Sequence, residues 1–290
     1  MDCKSLTYKL LSENAIPLIG FGTFQIKGKQ LIRDVLDLAL QAGYRSIDTA
    51  YVYHNEEDIG EALKELLPKH NLKREDIFIT SKLPPSHHGD LSFLALQQSL
   101  KKLDCGYLDL YLIHWPGQQA QAPNHPSNIS VRQSTWRNLI QARNKGLVRD
   151  IGVSNFTIRH LEDLLAFSPN DKPSVNQVEW HPHYHQSALH EFCIKEGILL
   201  QAYSSLGGSH NNDLISDSAV TSIAKRLNKQ PAQVLLRWAL QQNIGIIPKA
   251  RSRDHIFANI DLNFDISSDD MNSLNQRKQI KYAWNPDIVL

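Results

Sequence analysis

Apolar and polar positions along this chain follow two alternating rhythms. Short β-branched or apolar runs recur at Leu18–Gly22, Tyr44–Asp48, Ile77–Thr80, Leu108–Ile113, Val148–Val153, Ser174–Val178, Ile198–Tyr203 and Ile244–Ile247. Runs of this length with little polar alternation read as strands buried on both faces. Between them lie sets such as Leu31, Val35, Leu38, Ala42 and Phe93, Leu96, Leu100, Leu103, spaced as one face of a helix. Gly43 follows the first set, where a left-handed residue suits a helix C-terminus. Strands and helices alternating at about 30 residues imply a parallel sheet, and eight such units imply an α/β fold closed as a (β/α)8 TIM barrel. Leu6–Pro17 reads as an N-terminal β-hairpin turning at Glu13-Asn14, placed to plug the bottom of the barrel. A doubly wound sheet has the same periodicity. Its usual phosphate loops are missing, however: Gly20-Phe21-Gly22 lacks the third glycine of GxGxxG, and no GxxxxGK[ST] occurs. No low-complexity tract or polar linker divides the chain, so residues 1–290 are expected to form one domain ending in a short tail, 278–290.

Composition narrows the function. Apolar residues make up 41% and charged residues 21% of 290, which excludes general disorder and a coiled coil. Lys and Arg total 31 against 30 Asp and Glu, so bulk electrostatics offer nothing to nucleic acid or a membrane surface. No run reaches the roughly 18–20 apolar residues that span a bilayer. The start, MDCKSLTYKLL, has no secretory core or cleavage site. Cys3, Cys105 and Cys193 are dispersed without CxxC spacing, which argues against a disulfide framework and a thiolate zinc site. A cytoplasmic protein with reduced thiols is expected.

Asp48, Lys82 and His114 each fall at the C-terminal end of an expected strand, one strand–helix unit from the next. In a barrel that end carries the active site. Tyr53 follows in the loop above the Asp48 strand. A carboxylate, an amine, an imidazole and a phenol are thereby expected in one pocket, a set suited to reducing a carbonyl. Hydride arriving at carbon leaves an alkoxide, and Tyr53 would protonate it. A free phenol titrates near pH ~10, so Lys82 is expected to lower its pKa while Asp48 holds the ammonium charged. His114 would hydrogen-bond the substrate oxygen. Taken singly, each has a plainer reading, with Asp48 as a turn cap and Lys82 as a solvated amine.

Over essentially its whole length the sequence resembles the aldo-keto reductase superfamily. The matching stretches are GFGTF at 20–24, IDTAYVYHNEEDIG at 47–60, ITSKL at 79–83 and LIHWP at 112–116. They continue with IGVSNF at 151–156, VNQVEWHP at 175–182, AYSSLG at 202–207 and IPKA at 247–250. The resemblance implies that Asp48, Tyr53, Lys82 and His114 are the catalytic tetrad and that the cofactor is NADPH/NADP+. It implies that Ser154, Asn155 and Gln177 hold the nicotinamide carboxamide and that Tyr203 stacks on the ring. Gly22, Thr23, Phe24 and Asp48 would border the same groove, and Ser204, Ser205 and Leu206 would run beside the pyrophosphate. Lys249, with Ala250 and Arg251, matches the 2′-phosphate site, and Asn259 an adenine contact. Phe24, Tyr51 and Trp115, with Tyr53 and His114, match the substrate pocket. A monomer acting on a small carbonyl compound is implied.

The chain departs from the family at His255, where an Arg commonly stands six residues past the lysine. Arg grips phosphate through two parallel bonds, whereas His is mostly neutral near pH 7. Arg251 and Arg253 are close enough in sequence to compensate, so NADPH is expected to be preferred less exclusively. The connection from Trp115 to Trp136 and the run SSLGGSHNNDLI after Tyr203 are short, which predicts an open site with fast cofactor exchange. Trp284 either covers the pocket or packs outside. Two rival functions remain at this stage. His181-Pro182-His183-Tyr184-His185 alternates like a metal site on a strand, and a nucleotide-sensing accessory subunit would share the same fold.

Overall fold

A computed structural model describes residues 2–208 and 213–290. Strands β1 (Thr7–Lys9) and β2 (Ala15–Pro17) pair antiparallel as the expected hairpin. Eight parallel strands follow: β3 (Phe21–Gly22), β4 (Ser46–Asp48), β5 (Phe78–Leu83), β6 (Leu108–Ile113), β7 (Val148–Ser154), β8 (Val175–Glu179), β9 (Leu199–Tyr203) and β10 (Gly245–Ile246). Each pairs with the next in sequence order, which excludes the doubly wound alternative. The ring closes between β10 and the approach to β3: Gly20 N–H donates to Ile246 O at 2.8 Å and Ile246 N–H to Leu18 O at 2.7 Å. Gly22 belongs to this seam, since a Cβ there would lie 2.5 Å from Ile247 O. The fold is the (β/α)8 barrel anticipated above.

Ten α-helices among the described residues clothe the sheet: α1 (Lys29–Ala42), α2 (Glu56–Lys69), α3 (Ser92–Leu103), α4 (Ser127–Asn144), α5 (Ile158–Phe167), α6 (Ser187–Glu196), α7 (Ser218–Leu227), α8 (Pro231–Leu240), α9 (Arg253–Ala258) and α10 (Ser268–Asn275). α1 buries Ile32, Val35, Leu36, Ala39 and Leu40 on one stripe, each contributing about 1.5–3 kcal/mol for the larger side chains. It ends where Gly43 takes φ 107° and returns its N–H to Ala39 and Leu40 carbonyls. Thr157 caps the N-terminus of α5, its hydroxyl accepting from His160 N–H.

The hairpin sits at the N-terminal face. Ser12 Oγ and Asn14 Nδ2 both donate to Asp150 Oδ2, at 2.5 and 2.9 Å, near the start of β7. Leu10 and Ile16 of the hairpin are buried. The opposite face is thereby left for loops carrying chemistry. No helix of the described residues is long and apolar enough to cross a membrane. Residues 209–212 of the short connection after Tyr203 lie outside the described residues.

Candidate active site

Strand alternation aims Asp48 and Lys82 into the barrel at its C-terminal mouth. Asp48 closes β4, and Lys82 stands one residue before the end of β5. Lys82 is no solvated amine: it is 0% exposed. Its Nζ donates to Asp48 Oδ1 at 2.5 Å, to Thr49 O at 2.8 Å and to the Tyr53 hydroxyl at 3.3 Å. The other Asp48 oxygen accepts from Gln177 Nε2 at 2.8 Å, and Gln177 also donates to Gln201 Oε1 at 2.8 Å. These bonds cross the barrel interior from β8 and β9 to β4. Tyr53 lies in a 3-10 turn, Tyr51–Tyr53. Its ring meets His114 edge-on at 5.8 Å and Phe24 at 5.1 Å between centroids. The four groups expected to meet do meet.

The electrostatics correct one expectation. Burial, followed by the nearby Asp48 charge, pushes the Tyr53 phenol well above its ordinary pKa, so Lys82 does not make it acidic. Burial lowers the Lys82 ammonium, and Asp48 opposes that shift by charge and hydrogen bond. Tyr53 is therefore a neutral O–H donor across the physiological range. Burial and the Lys82 charge bring His114 down to about 3, leaving a neutral imidazole. Its backbone is fixed twice, by N–H to Leu83 O at 3.1 Å and by Asn155 Nδ2 to its carbonyl at 3.0 Å. Among the described residues no hydrogen bond engages its ring.

The strand ends beyond supply a second polar row. Ser154 Oγ donates to Gln177 O at 2.8 Å, and Tyr203 hydroxyl to Asn155 Oδ1 at 2.7 Å. Thr23 Oγ1 donates to Asp48 O at 2.8 Å, tying the loop that carries Phe24 to β4. Ser204 turns the chain with φ 53°, Ser205 is buried and Leu206 packs on the core. Across the mouth, Lys249 Nζ reaches Gln25 Oε1 at 3.5 Å while Arg251 Nη2 donates to Gln25 O at 2.6 Å. Burial and then the Arg251 charge lower the Lys249 pKa. Arg253 turns away, to Gln41 Oε1 at 3.0 Å and over the Phe257 ring. His255 stays exposed, Asn259 is buried beside α9, and Ala250 is buried.

Some expected residues are not gathered in. Tyr51 points to α3, its hydroxyl 3.2 Å from Gln98 Oε1 and its ring under Lys102. Trp284 is 73% exposed, which fits neither a closed cover nor exterior packing. Trp115 is half-buried directly after His114. The histidine triplet is dispersed: His181 pairs with Glu179 at 3.1 Å, His183 with Tyr282 and Asp217 at 2.6 and 2.9 Å, and His185 stacks edge-on against Trp180 and Trp238.

Asn55 went unnoticed in the sequence. It is buried, accepts from Thr49 Oγ1 at 2.6 Å and donates to Thr23 O and Ile26 O, both at 3.0 Å. It thus ties the loop of Tyr53 to the loop of Phe24. The only available signal was its place inside the stretch 47–60.

The mouth of the barrel thus gathers an ion-paired lysine, a phenol and an imidazole whose ring no hydrogen bond engages among the described residues. The sequence matches the Aldo/keto reductase family over residues 18–278. The chain belongs to that family. It is 38% identical to glyoxal reductase of Bacillus subtilis over 98% of this chain and 97% of that protein. It is 40% identical to aldose reductase B of Dictyostelium discoideum, covering 93% and 91%. Among solved structures, an aldo/keto reductase from Brucella melitensis superposes with TM-score 0.83 at 37% identity, covering 93% of this chain and 98% of that one. The aldose reductase of Schistosoma japonicum superposes with TM-score 0.85 at 34% identity, covering 96% and 94%.

Proposed function

We propose that this chain reduces small aldehydes and ketones to alcohols with NADPH, Tyr53 giving the proton. The observation that carries the reading is the Tyr53 hydroxyl held 3.3 Å from a fully buried, ion-paired Lys82, beside an imidazole whose ring no hydrogen bond engages among the described residues. NADPH, when bound, supplies the hydride. The residues around the groove fit it. Lys249 and Arg251 converge on Gln25 with no carboxylate ion pair among the described residues, so two cations repel across a gap that a phosphate dianion would relieve. The side-chain donors of Ser154, Asn155 and Gln177 are engaged within the protein, and Gln177 Oε1 offers an acceptor to a carboxamide N–H. The Tyr203 ring, pinned through its hydroxyl, makes no aromatic contact among the described residues and offers a face for stacking.

This chain's own groups then do four things. His114 donates from its neutral ring to the carbonyl oxygen, fixing the angle of the substrate and sharing its growing negative charge. Tyr53, kept protonated by its surroundings, transfers its proton to that oxygen as the charge develops. The phenolate left behind is stabilised by the adjacent ammonium, and Asp48 prevents Lys82 from losing its charge in the buried site. Phe24, lying over Tyr53, presents an apolar face to the substrate. Among the described residues no group of three or more His, Cys, Asp or Glu side chains stands where it could hold a metal ion. The test is loss of NADPH absorbance with a panel of carbonyl compounds. Tyr53→Phe should keep NADPH binding and lose about 10²–10⁴ in kcat; turnover at the parent rate would remove the proton assignment.

A further inference from the structure

Arg132, in α4, is 1% exposed, and among the described residues its nearest side-chain carboxylate, Asp163, stands at 3.5 Å. Burying a guanidinium without a close counter-charge is costly unless its donors are used well. Nη1 donates at 3.0 Å to Pro116 O, two residues past His114, and at 3.0 Å to Leu290 O. Leu290 N–H returns to Pro123 O at 2.9 Å. Val289 is buried against Gly117, where a Cβ would come within 3.1 Å of its Cγ1. Its carbonyl is taken by His160 Nε2 at 2.9 Å and by Arg159. Asn128 Nδ2 binds Ala122 O and Pro123 O, at 3.0 and 2.9 Å, while its oxygen accepts from Gln118 N–H at 3.1 Å. The loop 116–123 is thus stitched to residues 289–290 through one buried cation. His114 does not depend on this stitching, because Leu83 and Asn155 hold its backbone separately. Trp115 stands between the two systems.

We propose that Arg132 and Val289–Leu290 form a latch that positions the loop 116–123, directly after His114, for the carbonyl substrate, a role that rests on the reductase reading above. Arg132 is a positioning residue, since it acts through Pro116 and the tail. The latch sets how the substrate is gripped and leaves the proton and hydride geometry alone, so it acts on KM more than on kcat.

Three variants test this: Arg132→Met, Arg132→Lys, and removal of Val289 and Leu290. With 4-nitrobenzaldehyde, Arg132→Met and the truncation should each raise KM roughly tenfold while kcat stays within about twofold. NADPH affinity should be unchanged. Arg132→Lys should recover part of the loss, and combining Arg132→Met with the truncation should add little to either alone. Unchanged KM in folded variants, a loss confined to kcat, or additive effects would overturn the latch. Should Arg132→Met fail to fold, the truncation decides alone. Amide hydrogen exchange across 116–123, which requires no turnover, should quicken in the variants; parent-like protection there would also overturn it. Absence of NADPH oxidation by the parent enzyme with every carbonyl would instead refute the reductase reading, and the exchange measurement would still decide the latch.

Discussion

Replacing Asp48 with Asn isolates the ion pair on which the site depends. The side chains are nearly isosteric, yet Asn offers one acceptor where Asp48 offers two, to Lys82 at 2.5 Å and Gln177 at 2.8 Å. Either the ammonium or the amide loses its partner, and the buried charge is left uncompensated. Breaking such a pair costs about 3–5 kcal/mol, or roughly 6–20 °C in Tm for a protein of this size. Without the carboxylate, burial lowers the Lys82 pKa further. The unfolded chain then holds a proton that the folded chain does not, so the stability of the variant should rise with pH up to about 10.4. Turnover should fall by about 10²–10⁴, because the phenolate loses its charged neighbour. Adding Lys82→Met removes both charges, and the double variant should regain most of the Tm and lose its steep pH dependence without regaining activity. Thermal melts across pH, paired with NADPH consumption, read all of this. A single variant that melts like the parent, or a double variant that is less stable than the single, would refute the reasoning.

The remaining expectations concern the cofactor end and the tail. Arg251→Ala should lower the preference for NADPH over NADH by about 10-fold or more, whereas Arg253→Ala and His255→Ala should change it little; steady-state KM ratios decide. Burial alone would raise the Glu179 carboxyl, but hydrogen bonds from His181 and Lys281, the Lys281 charge and the Tyr282 N–H bring it down to about 2. Its stabilisation is present above the ordinary range near 4.5 and lost as pH falls toward 2, worth about 2 kcal/mol after solvent screening. Glu179→Gln should flatten the acid limb of a urea melt series; an unchanged limb would remove Glu179 as its source.

Much of the barrel was legible because parallel strands buried on both faces leave unbroken apolar runs. Leu108–Ile113 coincides with β6 to the residue. β5 runs on to Leu83 beyond the expected Thr80, since Ser81 and Lys82 interrupt the apolar run without leaving the sheet. β3 and β10 shrink to two residues each because few ladder bonds form at the seam. The tetrad was legible from one polar residue per strand end. Its acidity was not, because the sign of the Tyr53 shift depends on burial and on the nearby Asp48 charge, neither of which spacing reveals. Arg132 with Leu290 and Glu179 with Lys281 join residues more than 100 positions apart, so no local pattern announces them.

The bond from Gln177 to Asp48 spans opposite walls of the cylinder and has a kinetic consequence. The first four parallel strands carry the whole Asp48–Lys82 ion pair, yet Asp48 reaches its second partner, Gln177, only across the closed ring. During renaturation, helices and single strand pairs would form before this bridge does. Regained turnover therefore clocks the sealing of the ring, a late event that circular dichroism alone would miss.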